Sequence, residues 1–260
     1  MRHALSLKRA QFYARLTEDM SPAGRVAFEA PLARRCGREP TAYIIGSREF
    51  YGLDLEVSSA APVPRPETEL LVDEALAQAL RLQPSCSEPH IVDVGTGCGA
   101  IALAVSKRLP AARVTAIDIS QAALDLARRN AERLSLSGRI RFVPGDLLAP
   151  LADYAPKERV DIVVANLPYV PSGEWEALAP EIRCYEPRAA LDGGPDGMRV
   201  IARLLNEAVA HVRSPGALIL EIGDEQATAV TVLARKAFPA AAIVVKKDLA
   251  SLDRAVVIET

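Results

Sequence analysis

The sequence predicts an α/β fold: a doubly wound, seven-stranded sheet with an antiparallel last strand, preceded by a short N-terminal helical region. From residue 90 onward, short β-branched runs alternate with Ala-, Leu- and Arg-rich stretches of helical period, which is typical of β-α-β units and a parallel sheet. The last two runs flank Asp248 to Arg254, which suits a hairpin. A chain of 260 residues holds one such domain and a small appendage.

The elements before the sheet are assigned from helical composition and turn residues. Residues 5–35 have helical composition broken at Ser21-Pro22-Ala23-Gly24, so a pair of short helices is expected. Pro64 and Pro66 mark the start of a helix over Glu67–Leu82. The predicted division of the chain is therefore an N-terminal helical region (1–40), a linker hairpin (41–66) and an α/β domain (67–260).

The strands of the sheet are assigned from β-branched runs bounded by turn signals. Between them, Pro110 ends a helix that begins at Ala100, and Ser120 is a good N-cap for a helix through Leu134. The seven expected strands are 90–94, 113–119, 140–143, 160–165, 217–222, 242–246 and 255–259. Ligands of such sheets bind outside the carboxyl ends of the strands, so we look for chemistry there.

Composition and charge argue against several classes of protein. The longest apolar runs are too short to cross a bilayer, and residues 1–15 lack the apolar core of a signal peptide, so we expect a cytoplasmic protein without membrane attachment. The 4 cysteines are scattered without histidines at ligand spacing, which predicts no metal site and no disulfide framework. A formal net charge of −2 lacks the basic excess of a protein that grips a long phosphate backbone.

A glycine-rich segment follows the first strand and opens a helix, reading Asp93-Val94-Gly95-Thr96-Gly97-Cys98-Gly99. Glycine turns in this position also bind dinucleotides or simply permit tight strand-to-helix packing. Here the residue pattern, with an acid two residues before the first glycine, resembles the S-adenosylmethionine-binding loop of methyltransferases. Glycines would let the backbone pass close to the methionine moiety, where a Cβ would occupy the space.

Two further loops contribute to the expected cofactor site. Asp118 ends the second strand, where a carboxylate can accept two hydrogen bonds from a ribose diol, although a helix cap is the alternative interpretation. Asp146 and Leu147 end the third strand, where an acid and an apolar residue bracket the adenine in such enzymes, and a plain turn is the competing interpretation. The cofactor-binding candidates are Asp93, Gly95, Thr96, Gly97, Cys98, Gly99, Asp118, Ile119, Asp146, Leu147 and Asn166.

The fourth strand runs into the most informative segment, the reaction loop Asn166-Leu167-Pro168-Tyr169. Asparagine-x-proline-aromatic resembles the active-site loop of methyltransferases that act on planar, conjugated nitrogens. The Asn166 side-chain carbonyl and the Leu167 backbone carbonyl would hold both N–H bonds of such a nitrogen, and Tyr169 would cover its flat face. We take all four residues as candidates for catalysis and substrate binding. A turn that merely ends a buried strand is the alternative.

Several segments, in order, resemble the release-factor glutamine methyltransferase family over residues 40–260. They read PTAYIIGSREFYGLDL, VPRPETELL, EPRAALDGGPDGMRVIARLL, LILEIGDEQ and KDLASLDRAVVIE. The resemblance implies a class I, Rossmann-like fold and S-adenosyl-L-methionine as cofactor. It also implies methylation of the N5 side-chain amide of the glutamine in the Gly-Gly-Gln motif of peptide chain release factors, with the release factor as partner.

Three departures from that family keep alternative substrates open. Leu167 stands where the family normally has proline, Pro62 where a bulky hydrophobe packs on the substrate amide, and the N-terminal helical region is short. Leu167 still supplies a carbonyl, and because it precedes Pro168 it favours the same extended backbone. The alternatives are methylation of an amide, amine or guanidine of a small molecule, adenine-N6 methylation of a nucleic acid, and an inactive cofactor-binding module.

Overall fold

A computed structural model describes residues 1–83, 86–154 and 159–260. Its α-helices are α1 (Arg9–Ala14), α2 (Pro22–Cys36), α3 (Thr41–Ile45), α4 (Glu69–Leu82), α5 (Ala100–Arg108), α6 (Gln121–Arg133), α7 (Ala149–Tyr154), α8 (Pro180–Arg183), α9 (Arg199–His211) and α10 (Ala227–Ala237). Its strands are β1 (Ser47–Phe50), β2 (Leu53–Glu56), β3 (His90–Val94), β4 (Arg113–Asp118), β5 (Ile140–Pro144), β6 (Val160–Ala165), β7 (Val170–Pro171), β8 (Asp192–Gly194), β9 (Val212–Glu221), β10 (Ala242–Lys247) and β11 (Asp253–Glu259).

The main sheet has seven strands in the order β10-β11-β9-β6-β3-β4-β5. Strands β9, β6, β3, β4 and β5 are parallel, and β11 inserts antiparallel between β9 and β10. The order reverses direction at β3, so β3 and β6 meet at the switch point where ligands bind in such sheets. The predicted doubly wound sheet with an antiparallel last strand is confirmed.

Two hydrophobic clusters cover the two faces of this sheet. Successive side chains of a strand point to opposite faces, so Ile91 packs in one cluster with α4 and α5, whereas Val92 and Val94 pack in the other with α9. All five residues of β3 are buried. Burial on both faces is typical of a strand in a parallel sheet that helices cover, and in β3 it extends to the polar residues His90 and Asp93.

Several strand and helix ends differ from the sequence-based expectation by one or two residues, and three differences are larger or change the kind of element. The expected helical break at residues 21–24 is instead the start of α2, because the Ser21 hydroxyl caps it by accepting from the Gly24 amide at 3.1 Å. The expected helix over 67–82 begins as a 3-10 turn at Pro66–Thr68 and becomes α-helical only at Glu69. Strand β9 begins at Val212, earlier than expected.

The segment before the sheet is tied to the sheet domain at two places. The β1–β2 hairpin is held by Asn130 of α6, whose side-chain amide accepts from the Glu56 amide at 2.7 Å and donates to its carbonyl at 3.0 Å. Helix α2 is held by Arg35, which pairs with Glu181 of α8 at 2.7 Å. The three-part division of the chain stays a prediction. None of the described helices combines the length and hydropathy needed to cross a bilayer.

Candidate active site

The glycine loop lies between the first strand of the sheet and α5, and its amides are fixed by the neighbouring strand. Gly95 and Thr96 donate their backbone N–H groups to the Ile117 carbonyl at 2.9 and 3.0 Å. The glycines at 95, 97 and 99 have φ angles of +72°, +57° and +87°, which side chains disfavour. A Cβ on Gly97 would lie 3.6 Å from the Ala61 Cβ, so the segment before Pro62 borders the loop.

Asp93 stabilises this loop from a fully buried position. Its Oδ2 accepts from the Thr96 hydroxyl at 2.6 Å and from the Ala102 amide at 3.0 Å. Burial raises the pKa of this carboxyl to about 7, although both hydrogen bonds oppose the shift. Its Oδ1 is buried and has no hydrogen-bond partner in the described part of the chain. An acceptor beside the loop without a donor is suited to a cationic cofactor.

Asp118 lies at the carboxyl end of β4 and holds the glycine loop to the next helix. Its Oδ2 accepts from the Gly97 amide and its Oδ1 from the Ser120 amide, each at 2.8 Å. Each carboxylate oxygen has a second lone pair, so both can still accept a ribose hydroxyl. Burial raises the pKa of this carboxyl, and the backbone hydrogen bonds oppose the shift. The adjacent Ile119 side chain is 74% exposed and is available to cover a flat ring.

The loop after β5 lies beside Asp118, because the Gly145 amide donates to the Asp118 carbonyl at 3.0 Å. Asp146 forms an ion pair with Arg203 of α9 at 2.7 Å, with both side chains about half exposed. Leu147 is buried in the core and has a φ of +51°. The loop is thus a fixed turn beside Asp118, and its contact with an adenine ring stays a prediction.

Cys98 contributes to the loop through its backbone. Its side chain is buried in the core, and burial raises the pKa of the thiol to about 12. Its carbonyl accepts from the Asn130 side chain at 3.0 Å. The structure therefore places the Cys98 sulfur away from the exposed side of the loop. No cluster of His, Cys, Asp and Glu in the described ranges is arranged to hold a metal ion.

The reaction loop follows the carboxyl end of β6, next to the glycine loop. A Cβ built on Gly95 would lie 3.2 Å from the Leu167 Cδ2 and 3.5 Å from the Asn166 carbonyl oxygen. The Asn166 side-chain amide donates to the Thr68 hydroxyl at 3.1 Å. The oxygen of the same side-chain amide has no hydrogen-bond donor among the described residues, so it can accept a hydrogen bond from a substrate. The structure therefore brings the two predicted loops together at the switch point of the sheet.

Leu167 presents its backbone and buries its side chain. The side chain is 4% exposed and packs in the same cluster as Val92 and Val94 of β3. Its carbonyl oxygen accepts no hydrogen bond from the described residues. Both predicted acceptors, the Asn166 side-chain carbonyl and the Leu167 backbone carbonyl, are thus without a hydrogen-bond donor among the described residues.

Tyr169 is held at both ends. Its hydroxyl donates to Glu221 Oε1 at 3.3 Å, and its backbone carbonyl accepts from the Gln226 side chain at 2.8 Å. Burial raises the pKa of the phenol, and the charge of Glu221 raises it further, so the ring stays neutral. Pro168 is fixed by Gly193, where a Cβ would lie 2.7 Å from the Pro168 carbonyl oxygen. The loop is therefore pre-organised before any ligand binds.

Pro62 belongs to a segment that runs from the glycine loop to the reaction loop. Ala61 borders Gly97, and Thr68 bonds Asn166. Arg65 between them pairs with the buried Glu186 at 2.6 Å, which fixes the segment. The half-buried Pro62 therefore lies in the segment that connects these two contacts, and its contact with a substrate stays a prediction.

Thr68, Glu221 and Gln226 are site residues that were not among the sequence-based candidates. All three lie in segments quoted for the family resemblance, VPRPETELL and LILEIGDEQ. Glu221 carried a usable signal, since an acid at the carboxyl end of an apolar strand is costly to bury without a role. Thr68 carried none, because only the fold brings it to Asn166.

Two family models match this chain. Residues 91–185 match a methyltransferase domain, and residues 1–46 match the PrmC N-terminal domain. The release factor glutamine methyltransferase of Rhodopirellula baltica is 39% identical over 252 residues, which cover 97% of this chain and 84% of that protein. That of Moorella thermoacetica is 44% identical over 232 residues, covering 89% of this chain and 79% of that one.

The fold has solved relatives at low sequence identity. A methyltransferase from Pyrococcus furiosus is 19% identical with a TM-score of 0.56, over 89% of this chain and 98% of that one. The sheet is thus that of a class I, Rossmann-like methyltransferase. With about two-fifths of its residues shared with curated relatives over most of its length, the chain belongs to the release factor glutamine methyltransferase family.

Proposed function

We propose that this enzyme transfers the methyl group of S-adenosylmethionine to the N5 side-chain amide of the glutamine in the Gly-Gly-Gln motif of a peptide chain release factor. The observation that carries the proposal is the pair of unoccupied acceptors, the Asn166 side-chain carbonyl and the Leu167 carbonyl, on a loop that touches the glycine loop at Gly95. Family membership supports the same substrate. A release factor acts with the ribosome, so the proposal includes a cytoplasmic location.

The residues of the glycine loop fit this cofactor. The exposed Gly95 and the half-buried Gly97 leave room for a methionine moiety, and Asp93 Oδ1 offers a buried acceptor beside it. Asp118 would hold the ribose hydroxyls, and Ile119 with the loop at Asp146 would flank the adenine. When bound, the cofactor supplies an electrophilic methyl group on a sulfonium.

The reaction loop would compensate for the weak nucleophilicity of an amide nitrogen by orienting it. Its lone pair is delocalised into the carbonyl, so it is not directed at an electrophile. Asn166 Oδ1 and the Leu167 carbonyl oxygen would accept the two N–H bonds and turn the lone pair toward the methyl group. The Tyr169 ring would cover the amide plane. Both acceptors stay in place as positive charge develops on the nitrogen, so they stabilise the transition state, and the extra proton leaves afterward.

A transfer assay tests the proposal. The wild-type enzyme, with cofactor labelled on the methyl group, is offered a release factor, the same factor with its Gly-Gly-Gln glutamine changed to Ala, RNA, and cell-extract metabolites. Label is expected on the intact factor alone. Label on metabolites would indicate a small-molecule enzyme, and label on RNA an adenine methyltransferase. Either result, without label on the factor, would reject the proposal.

Asp118→Ala is expected to weaken cofactor binding by about 1–3 kcal/mol, the scale of hydrogen bonds to a charged group. The change removes the ribose acceptors and also frees the Gly97 amide, which Asp118 holds at 2.8 Å. Titration calorimetry with S-adenosylmethionine measures the loss, and NAD should not bind to either protein. Asp125→Ala, an exposed aspartate on α6, serves as control. Undiminished affinity in Asp118→Ala would remove Asp118 from the ribose role.

Leu167→Pro is expected to keep kcat/KM on the release factor close to the wild-type value, because proline retains the carbonyl and the extended backbone. The buried Leu side chain is lost, so the free energy of unfolding should fall by about 1–3 kcal/mol. Steady-state kinetics and thermal unfolding measure the two effects.

Leu167→Ala is the matched control for Leu167→Pro, since it loses the same side chain without proline's constraint. If Leu167→Pro stays folded and loses kcat/KM far beyond Leu167→Ala, the carbonyl is not the whole contribution of this position. In that case the loop would be tuned by the residue itself, and the assigned acceptor role of the backbone would be wrong.

A further inference from the structure

We propose that Thr68 and Glu221 are positioning residues, forming a hydrogen-bond relay that fixes which end of the Asn166 side-chain amide faces the substrate. The inference rests on the proposed function and deepens it, because it concerns the orientation of the loop's first acceptor. Neither residue is available to touch a substrate, since Thr68 is 5% exposed and Glu221 is 2% exposed.

The orientation follows from counting protons. A threonine hydroxyl has one proton to donate, and an ionised carboxylate can only accept. Thr68 Oγ1 donates that proton to Glu221 Oε2 at 2.6 Å. Thr68 Oγ1 can therefore only accept a hydrogen bond from Asn166. The Asn166 atom that lies 3.1 Å from Thr68 Oγ1 must then be the side-chain nitrogen. The Asn166 carbonyl oxygen is thereby turned to the open side of the loop.

Glu221 must be ionised for the relay to have this direction. Besides Thr68, the Tyr169 hydroxyl donates to its Oε1 at 3.3 Å. The positive charge of Arg254 on β11 favours the ionised form of Glu221. The negative charge of Glu67, on the 3-10 turn before α4, disfavours it. Arg254 is itself held by Asp248 at 3.2 Å. The hydrogen bonds from Thr68 and Tyr169 and the charge of Arg254 thus favour the ionised carboxylate, whereas burial, the largest influence, raises its pKa.

Protonation of Glu221 would reverse the relay. A protonated carboxyl can donate to Thr68, whose own proton would then point at Asn166 and select the carbonyl end of its amide. The substrate would meet an NH2 group in place of an acceptor. Burial raises the pKa of Glu221, so the ionised form is lost at a higher pH than for an ordinary glutamate. We therefore expect kcat to fall as pH falls through that raised pKa.

The test compares two substitutions of Thr68. Thr68→Val keeps the shape and removes the hydroxyl, so kcat should fall roughly 10–100-fold, as for a small misplacement of a catalytic group. Cofactor affinity should not change. Thr68→Ser keeps the hydroxyl and should restore most of the rate. Thr115→Val is the matched control, a buried threonine on β4 whose hydroxyl is bonded to His90 and lies outside the site; it should turn over normally.

Two further readouts separate positioning from packing. The Thr68→Val enzyme should lack the acid-side fall in kcat, because its residual activity no longer depends on the charge of Glu221. The Asn166 side-chain NH2 protons, followed by NMR, should be protected from exchange in the wild type and lose that protection in Thr68→Val. The NMR readout needs no substrate, so a wild-type enzyme that methylates no glutamine would reject the proposed function while leaving the relay testable.

Three outcomes would overturn the relay. The first is a Thr68→Val enzyme with the wild-type kcat. The second is an equal loss in Thr68→Ser and Thr68→Val, which would indicate packing rather than the hydroxyl. The third is equal protection of the Asn166 NH2 protons in the wild type and in Thr68→Val.

Discussion

Asn166→Ala is expected to lower kcat by roughly 10²–10³-fold, the loss seen when one pre-organised hydrogen-bonding group is removed from an active site. The change removes the side-chain carbonyl that holds one N–H of the substrate amide. The side chain is only half-buried and, among the described residues, makes one hydrogen bond, to Thr68, so the fold should survive. Single-turnover kinetics with thermal unfolding as the folding check measure both expectations.

Asn166→Asp tests the same role with a side chain that keeps an acceptor oxygen but adds a negative charge. An aspartate cannot donate to Thr68, and its negative charge would lie near the Glu221 carboxylate and the cofactor's sulfonium. Stabilising a charged ground state more than a charge-dispersed transition state slows the reaction, so this variant should also be severely impaired. Near wild-type rates in either variant would refute an Asn166-centred mechanism.

Gly197→Ala is expected to have the largest effect on the stability of the reaction loop. A Cβ at this position would lie 2.2 Å from the Tyr169 carbonyl oxygen and 2.6 Å from the Gln226 side-chain nitrogen, and the residue has a φ of +75°. Overpacking and left-handed backbone together should lower the free energy of unfolding by about 2–5 kcal/mol. The displaced Tyr169 should also lower kcat.

Gly173→Ala is the control for Gly197→Ala, because an added Cβ there meets nothing within 4 Å. Denaturant unfolding and steady-state kinetics on both variants separate the local collision from a general effect of alanine. If Gly197→Ala unfolds at the wild-type midpoint with unchanged kcat, the loop is not held as tightly as the contacts of Tyr169 indicate.

Much of the sheet was predictable because strands that are buried on both faces are short runs of mostly β-branched residues bounded by turn residues. Strands β3 and β6 are short runs rich in Val and Ile, each with one buried aspartate, and both have the predicted bounds. The glycine loop and the reaction loop were predictable from their positions after these strands. Each follows a parallel strand, and the carboxyl ends of such strands meet at one edge.

The relay behind Asn166 was not predictable from sequence patterns. Thr68 and Glu221 are separated by 153 residues, and no periodicity connects a 3-10 turn to the end of a distant strand. The orientation of Leu167 was likewise open, since a loop leucine can line a pocket or fill a core. The packing of its side chain beside Val92 and Gly95 decides in favour of the core.

Tandem mass spectrometry of a release factor incubated with the wild-type enzyme and S-adenosylmethionine shows which atom receives the methyl group. We expect one added methyl group on the side-chain amide nitrogen of the Gly-Gly-Gln glutamine, and none after incubation with Asn166→Ala. A methyl group on another residue, or an unmodified glutamine under conditions where the enzyme binds its cofactor, would contradict this expectation.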